Sequence, residues 1–283
     1  MMKKILAVIA GMTLCAAAFA ENVHSLQVKG SDTMVNLSQA WAEEFMRKNP
    51  DLFIAVTGGG SGTGLAALIS GTCDVANSSR RMKDRERALA EKKGVHPAEF
   101  KPALDGIAVV VNPKNPVSRL AMEELAGIFA GKIKNWKDVG GKDAKIVILS
   151  REVNSGTHVY FKERVLRRGD PNAREEFSPE ALLLPSSQAI ADEVTQNDAA
   201  IGYYGMGYLS PAQKALSVAG DKNSEYAAPT VQNVVSGRYP ISRPLYLYTN
   251  GEPRGAVKAF LDFIFSAEGQ EVVSKMDFVP VKN

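Results

Sequence analysis

Three short segments of this chain combine glycine with small hydroxyl side chains where an apolar run gives way to a helical pattern: Gly30-Ser31-Asp32-Thr33, Ser61-Gly62-Thr63-Gly64 and Asn154-Ser155-Gly156-Thr157. The first turn of a helix leaves its N–H groups without intrahelical partners and carries the positive end of the helix dipole, so each segment has what an oxyanion needs. One alone reads as an N-cap, because Ser, Thr and Asp satisfy first-turn N–H groups in most helices. Three in one chain, two of them with further glycines, point to anion binding. Two arginines stand near such turns. Arg151 precedes Ser155 by four residues, and Arg80 follows Ser78-Ser79. A guanidinium fork at either place can grip two oxygens of one anion, with a plain surface charge as the competing reading.

The same residues exclude several better-known chemistries. In the loop Gly58 to Gly64 the last glycine is followed by Leu65, not by the Lys and Ser/Thr of a nucleotide phosphate loop, and Thr63 fails the last position of the dinucleotide fingerprint. The segment Gly59-Gly60-Ser61-Gly62-Thr63 misses the hydrolase nucleophile elbow by one residue. Ser155 and His158 are three apart, but no third group is in place to orient the imidazole. The three histidines, His24, His96 and His158, have no metal-ligand spacing. The expectation is a binding protein with no catalytic residue, no cofactor and no metal.

The elements that must position these turns alternate as in an α/β protein. Leu26 to Val28 predicts a strand, followed by a helix with Met34, Leu37, Trp41 and Phe45 on one face that stops near Asn49-Pro50. Leu52 to Val56 predicts a second strand and Leu65 to Ile69 a short helix. A strand-like run at Asp74 to Asn77 ends in Ser78-Ser79-Arg80, and the charged stretch Lys83 to Lys93 predicts a solvated helix. Gly106 to Val111, rich in valine, predicts a strand buried on both faces. Further helices are expected at Met122 to Phe129, Thr157 to Arg168, Gln188 to Thr195 and Ala256 to Phe265, with strands at Lys145 to Leu149, Ala200 to Tyr204 and Leu245 to Tyr248. Ligands of open α/β sheets lie beyond the carboxyl ends of the strands, so the three turns are expected to share one cleft.

Composition bounds the rest. The chain has 283 residues, enough for about two domains, and 45% hydrophobic with 23% charged residues is an ordinary globular balance. A formal charge of +3 gives no basic field, so neither nucleic acid nor an anionic membrane is an expected partner. Lys3 and Lys4, the apolar run Ile5 to Leu14 and the triplet Ala18-Phe19-Ala20 form the three parts of a secretory signal, with cleavage expected after Ala20. The run is too short to span a bilayer. Leu14 is large for the position before a lipid-modified cysteine, which argues against lipidation of Cys15. Removal of residues 1–20 lowers the charge to +1 and leaves Cys73 as the one cysteine, so no intramolecular disulfide forms.

On these residues the sequence resembles the phosphate-binding proteins of bacterial phosphate ABC importers, within the periplasmic-binding-protein superfamily. The matching pieces are Gly30 to Thr33, Gly58 to Gly64, Asp74 to Arg80, Asp105 to Pro113, Gly131-Lys132-Ile133-Lys134-Asn135-Trp136, Arg151 with Ser155-Gly156-Thr157, and Ala200-Ile201-Gly202-Tyr203. Arginine followed four residues later by Ser-Gly-Thr is the most specific of them. The resemblance implies a type II two-lobed α/β fold, each lobe a mixed sheet flanked by helices, with two crossover segments as the hinge. The first crossover would be Gly106 to Val111 and the return about Ser236 to Leu245. The lobes would be residues 21–107 with 243–283, and 108–242.

It also implies a monomer that captures inorganic phosphate in the periplasm and delivers it to an inner-membrane ABC permease. The implied ligand groups are Ser31, Asp32, Thr33, Ser61, Gly62, Thr63, Ser79, Arg80, Arg151, Ser155, Gly156 and Thr157. Other oxyanions such as sulfate, molybdate or tungstate share the helix-end logic, and a secreted phosphoester hydrolase is the enzymatic alternative. The sequence departs from the family at Ser79, where members carry an aspartate able to accept the proton that phosphate keeps and sulfate lacks. Asp32 is expected to supply that acceptor, its plainer role being a helix cap.

Overall fold

The structure is a computed structural model that describes residues 24–281. The expected signal segment, residues 1–20, lies outside them. Strand β1 (His24–Gly30) runs through a single 3-10 turn at Asp32–Met34 into helix α1 (Val35–Lys48). That helix buries Leu37, Trp41 and Phe45 as one stripe, and the Trp41 indole N–H donates to the Gly269 carbonyl at 2.8 Å. Burying side chains of this size stabilises by about 1.5–3 kcal/mol each. Next come β2 (Leu52–Thr57), α2 (Ser61–Ile69), β3 (Val75–Ser78) and α3 (Asp84–Lys92). Strand β4 (Pro97–Val111) follows and is far longer than the apolar run Gly106 to Val111 suggested. The polar residues Glu99 and Lys101 of its first half are partly or fully exposed, so no continuous apolar signal marks that half.

The chain continues through β5 (Arg119–Ala121), α4 (Met122–Phe129), β6 (Val147–Arg151), α5 (Gly156–Phe161), β7 (Leu182–Leu184), α6 (Ser187–Gln196), β8 (Ala200–Gly205), β9 (Lys214–Ala215), β10 (Ser217–Ala219) and α7 (Val231–Val235). It closes with β11 (Ser242–Asn250), α8 (Gly255–Phe265), α9 (Ala267–Lys275) and β12 (Val279–Pro280). Two further expectations change. The helix expected over Thr157 to Arg168 is α-helical only to Phe161 and then widens into a π turn at Lys162–Leu166. The strand expected at Lys145 to Leu149 instead runs from Val147 to Arg151, which carries Arg151 on its last residue.

The main sheet has the order β2-β1-β3-β11-β4-β8-β6-β7. Strand β1 lies parallel between β2 and β3, and β6 lies parallel between β7 and β8. Each half therefore opens on a central strand flanked by the next two, and both halves send their strand ends toward helix starts. Strand β4 joins the halves. It pairs with β11 up to Gly106 and with β8 from Ile107 onward. One core gathers Leu26, Trp41, Phe45, Leu247 and Phe260, while another gathers Val109, Leu125, Phe129, Phe161 and Tyr203. These are the two lobes of the fold, a core in each, with β4 and β11 crossing between them.

Buried Cys73 is a free thiol whose pKa burial pushes up to about 11, which leaves it unreactive at neutral pH. Among the described residues no helix is long and apolar enough to cross a membrane.

Candidate anion-binding site

The ends of β1, β2, β3, β6 and β7 all open toward the seam between the lobes, and the three turns meet there. Gly30 has φ +141, and a Cβ on it would lie 2.2 Å from the Asn77 carbonyl oxygen, so only glycine lets Ser31 follow β1 so closely. Ser31 is 1% exposed and its hydroxyl has no partner among the described residues. Thr33, also buried, shares a hydrogen bond of 2.8 Å with the Thr157 hydroxyl from the other lobe. Ser61, the first residue of α2, accepts the Ser79 N–H at 3.0 Å, and the two hydroxyls lie 3.3 Å apart. Gly156, first residue of α5, packs against both. A Cβ there would stand 2.3 Å from Ser61 Oγ and 2.6 Å from Ser79 Oγ.

Ser155 caps α5 by accepting the N–H groups of Thr157 and His158 at 3.2 and 3.4 Å. It makes no pair with the His158 ring, which bonds Ser150 instead, at 3.3 Å from Nδ1. Burial pulls the imidazole down to about 4, so it is neutral at pH 7. The expected three-residue spacing of Ser155 and His158 thus resolves into a cap and a packed core histidine, its ring centre 4.5 Å from that of Phe177 at a tilt of 33°.

Arg151 is 1% exposed, and its fork is held on three sides. Nη1 pairs with Asp32 Oδ2 and donates to Ser187 Oγ, both at 3.0 Å, and Nη2 donates to the Pro185 carbonyl at 2.8 Å. Nε reaches the Leu184 carbonyl at 3.4 Å. Burial lowers the guanidinium's pKa, and the Asp32 carboxylate opposes that pull. Asp32 does not cap the helix that follows it in the chain. Its Oδ2 also accepts the Ser187 N–H and Oγ–H, each at 2.8 Å, which ties the first lobe to the start of α6 in the second. Tyr208 adds a bond to the Asp32 carbonyl at 2.8 Å.

Arg80 turns elsewhere. Both Nη atoms grip Glu86, at 2.7 and 2.8 Å, so the fork braces the start of α3 and only Nε stays without a partner among the described residues. Gly62 and Thr63 sit at the rim rather than the floor. Gly62 donates its N–H to the Asn154 carbonyl at 3.0 Å, and the Asn154 amide donates to the Gly59 carbonyl at 2.8 Å and to the Thr63 hydroxyl at 3.4 Å. Asn154 therefore latches the glycine loop to the second lobe.

The sequence reading missed Arg243 and Asp105. Arg243 is 3% exposed and Asp105 fully buried, and they stand opposite each other on β11 and β4 where those strands cross between lobes. Arg243 donates to Asp105 Oδ2 from Nη2 at 2.8 Å and from Nε at 3.1 Å. Its Nη2 also reaches Thr157 Oγ1 at 2.9 Å and Thr33 Oγ1 at 3.5 Å. Burial raises the Asp105 pKa and the guanidinium counters it. No local spacing signals this pair.

The arrangement brings hydroxyls, N–H groups and two arginines from both lobes to one buried seam. Among the described residues no cluster of three metal-type ligands occurs. The chain's relatives agree with the fold. The sequence pattern of the PBP superfamily domain matches residues 16–268. The chain is 34% identical over 274 residues to the phosphate-binding protein PstS of Pseudomonas aeruginosa, covering 91% of this chain and 83% of that one. It is 37% identical over 259 residues to the phosphate-binding protein PstS of Bacillus subtilis, covering 91% and 81%. Among solved structures, a phosphate-bound ABC transporter substrate-binding protein from Clostridium perfringens superposes with a TM-score of 0.82 at 33% identity, covering 92% of this chain and all of that one. An ABC-type phosphate transport receptor from Vibrio cholerae superposes with a TM-score of 0.71 at 29% identity, covering 91% and 100%. By sequence and by fold, this chain belongs to the PBP superfamily and, within it, to the family of the phosphate-binding proteins it matches.

Proposed function

We propose that the protein captures inorganic phosphate between its lobes, without chemistry, and hands it to an ABC import permease in the inner membrane. The observation that carries this reading is the meeting of Thr33 with Thr157, and of Ser61 and Ser79 with Gly156, across the seam beside Arg151. A tetrahedral oxyanion inserted there exchanges hydroxyl-to-hydroxyl contacts for charge-assisted bonds in a dry site, each roughly twice as strong as a neutral one. Donors from both lobes are needed to surround it, so binding favours the closed arrangement. The names of the relatives favour phosphate over sulfate, molybdate or tungstate, and over ester hydrolysis.

The contact set in this reading is Ser31, Thr33, Ser61, Ser79, Arg151, Gly156 and Thr157. Ser155 fixes the α5 start, Gly62 and Thr63 close the rim through Asn154, and Arg80 stiffens the Ser79 turn. Asp32 orients Arg151 through Oδ2, and in this reading its second oxygen accepts the proton of a hydrogen phosphate. The lobes are residues 21–107 with 243–283, and 108–242. Cleavage after Ala20 releases the mature chain to act as a monomer in the periplasm.

Isothermal titration of Arg151→Ala tests the reading. A hydrogen bond to a charged group is worth about 1.5–3 kcal/mol, so phosphate affinity is expected to fall about ten- to hundredfold. Unchanged affinity would sink the assignment.

A further inference from the structure

The three buried arginines near the seam differ in what remains of their forks. Arg151 spends Nε and both Nη atoms on protein groups, and Arg80 spends both Nη atoms on Glu86. Arg243 uses Nε and Nη2 alone, and its Nη1, buried, has no partner among the described residues. A buried donor left without an acceptor is rare and calls for a reason. The same guanidinium bonds the Thr157 hydroxyl of one lobe and lies within 3.5 Å of the Thr33 hydroxyl of the other. It is carried by the crossing strand β11, and Asp105 on the crossing strand β4 anchors one edge of it.

We propose that Arg243 is a further anion-contacting residue, delivered from the hinge, whose Nη1 donates to the bound phosphate while Asp105 holds its fork in place. This rests on the phosphate reading above. In the closed protein each site arginine carries its own carboxylate, Arg151 with Asp32 and Arg243 with Asp105, so neither is buried as a bare charge. The incoming anion then meets two fixed forks, one on the wall of the second lobe and one on the floor between lobes. Because the floor fork hangs from both crossing strands, a ligand that bonds it is tied directly to the hinge.

Titration of inorganic phosphate into the full mature chain and two variants tests this, with thermal melts of each in the absence and presence of phosphate. Arg243→Lys keeps the charge and the partner Asp105 but loses the second edge of the fork. It is expected to bind at least tenfold more weakly and to show a smaller phosphate-induced rise in Tm. Asp105→Asn removes the brace alone and is expected to lower the Tm without ligand while weakening phosphate less than Arg243→Lys does. Should Arg243→Lys fail to melt cooperatively, the double variant Asp105→Asn with Arg243→Gln, which strands no buried charge, is expected to show the same loss of affinity. The proposal is overturned if Arg243→Lys or the double variant binds within twofold of the parent, or if Asp105→Asn weakens binding as much as Arg243→Lys. Absence of phosphate uptake by the parent overturns the functional reading and this inference with it, whereas uptake by the parent with an indifferent Arg243→Lys overturns this inference alone.

Discussion

A single methyl group at Gly156 should hold the lobes apart. The Cβ of Gly156→Ala would stand 2.3 Å from Ser61 Oγ, 2.6 Å from Ser79 Oγ and 3.0 Å from Ser61 Cβ, where ordinary contact begins at 3.4 Å. Rotating the Ser61 hydroxyl relieves the first clash but not the third, and it forfeits the 3.0 Å bond from the Ser79 N–H. Overpacking of this kind costs about 1–3 kcal/mol, and the lost bond about 1 more. Both costs fall on the closed arrangement alone, because Gly156 sits in the second lobe and the two serines in the first. Within its own lobe alanine suits the first turn of α5 better than glycine does. At about 1.4 kcal/mol per factor of ten, phosphate affinity should fall roughly thirty- to thousandfold. Isothermal titration reads the affinity, a thermal melt without ligand reads the fold, and small-angle scattering with and without phosphate reads closure. Intact affinity would refute the reasoning, and so would a melting temperature that falls as steeply as the affinity.

Asp32→Ala removes the acceptor of the Ser187 bonds and the partner of Arg151, so phosphate should bind more weakly and sulfate should be rejected less. Competition titrations that find both properties intact would remove Asp32 from the account. Asn154→Ala deletes the rim bonds to Gly59 and Thr63, so stopped-flow measurement should show phosphate leaving severalfold faster; an unchanged rate would show that the rim is no latch. His158 supplies an acid limit. Its pKa is about 4 in the folded chain against an ordinary 6.5, so above pH 6.5 both states are neutral there. As the pH falls from 6.5 toward 4 the unfolded chain takes a proton that the folded one refuses, and stability drops by about 1.4 kcal/mol per unit, about 3 in all. Urea melts at pH 7 and pH 4.5 should show His158→Phe losing less stability than the parent, and equal losses would refute the claim.

The parts of the site legible in the sequence are those in which neighbours along the chain do the work. Gly30 to Thr33, Ser61 to Gly64 and Ser155 to Thr157 each place glycine and hydroxyls at a strand end, and the alternation of elements implied that the ends would converge. What stayed hidden depends on distant partners. Arg243 meets Asp105 across 138 positions, and Ser187 meets Asp32 across 155. The first half of β4 was missed because Glu99 and Lys101 interrupt its apolar run, and α9 because its polar face dominates its composition. The role of Arg80 was equally hidden: Glu86 accepts the Lys83 N–H at 2.8 Å and so stands beside the Ser79-Arg80 turn, but with lysine at the helix start the sequence shows no Ser, Thr, Asp or Asn to mark that arrangement.

The central claim is that two lobes close on one phosphate. Isothermal titration of the mature chain, stripped of bound anion, with phosphate and then with sulfate tests it most directly. The account predicts one phosphate per chain, released heat, and sulfate bound far more weakly. No phosphate binding, or sulfate bound as tightly as phosphate, would contradict it.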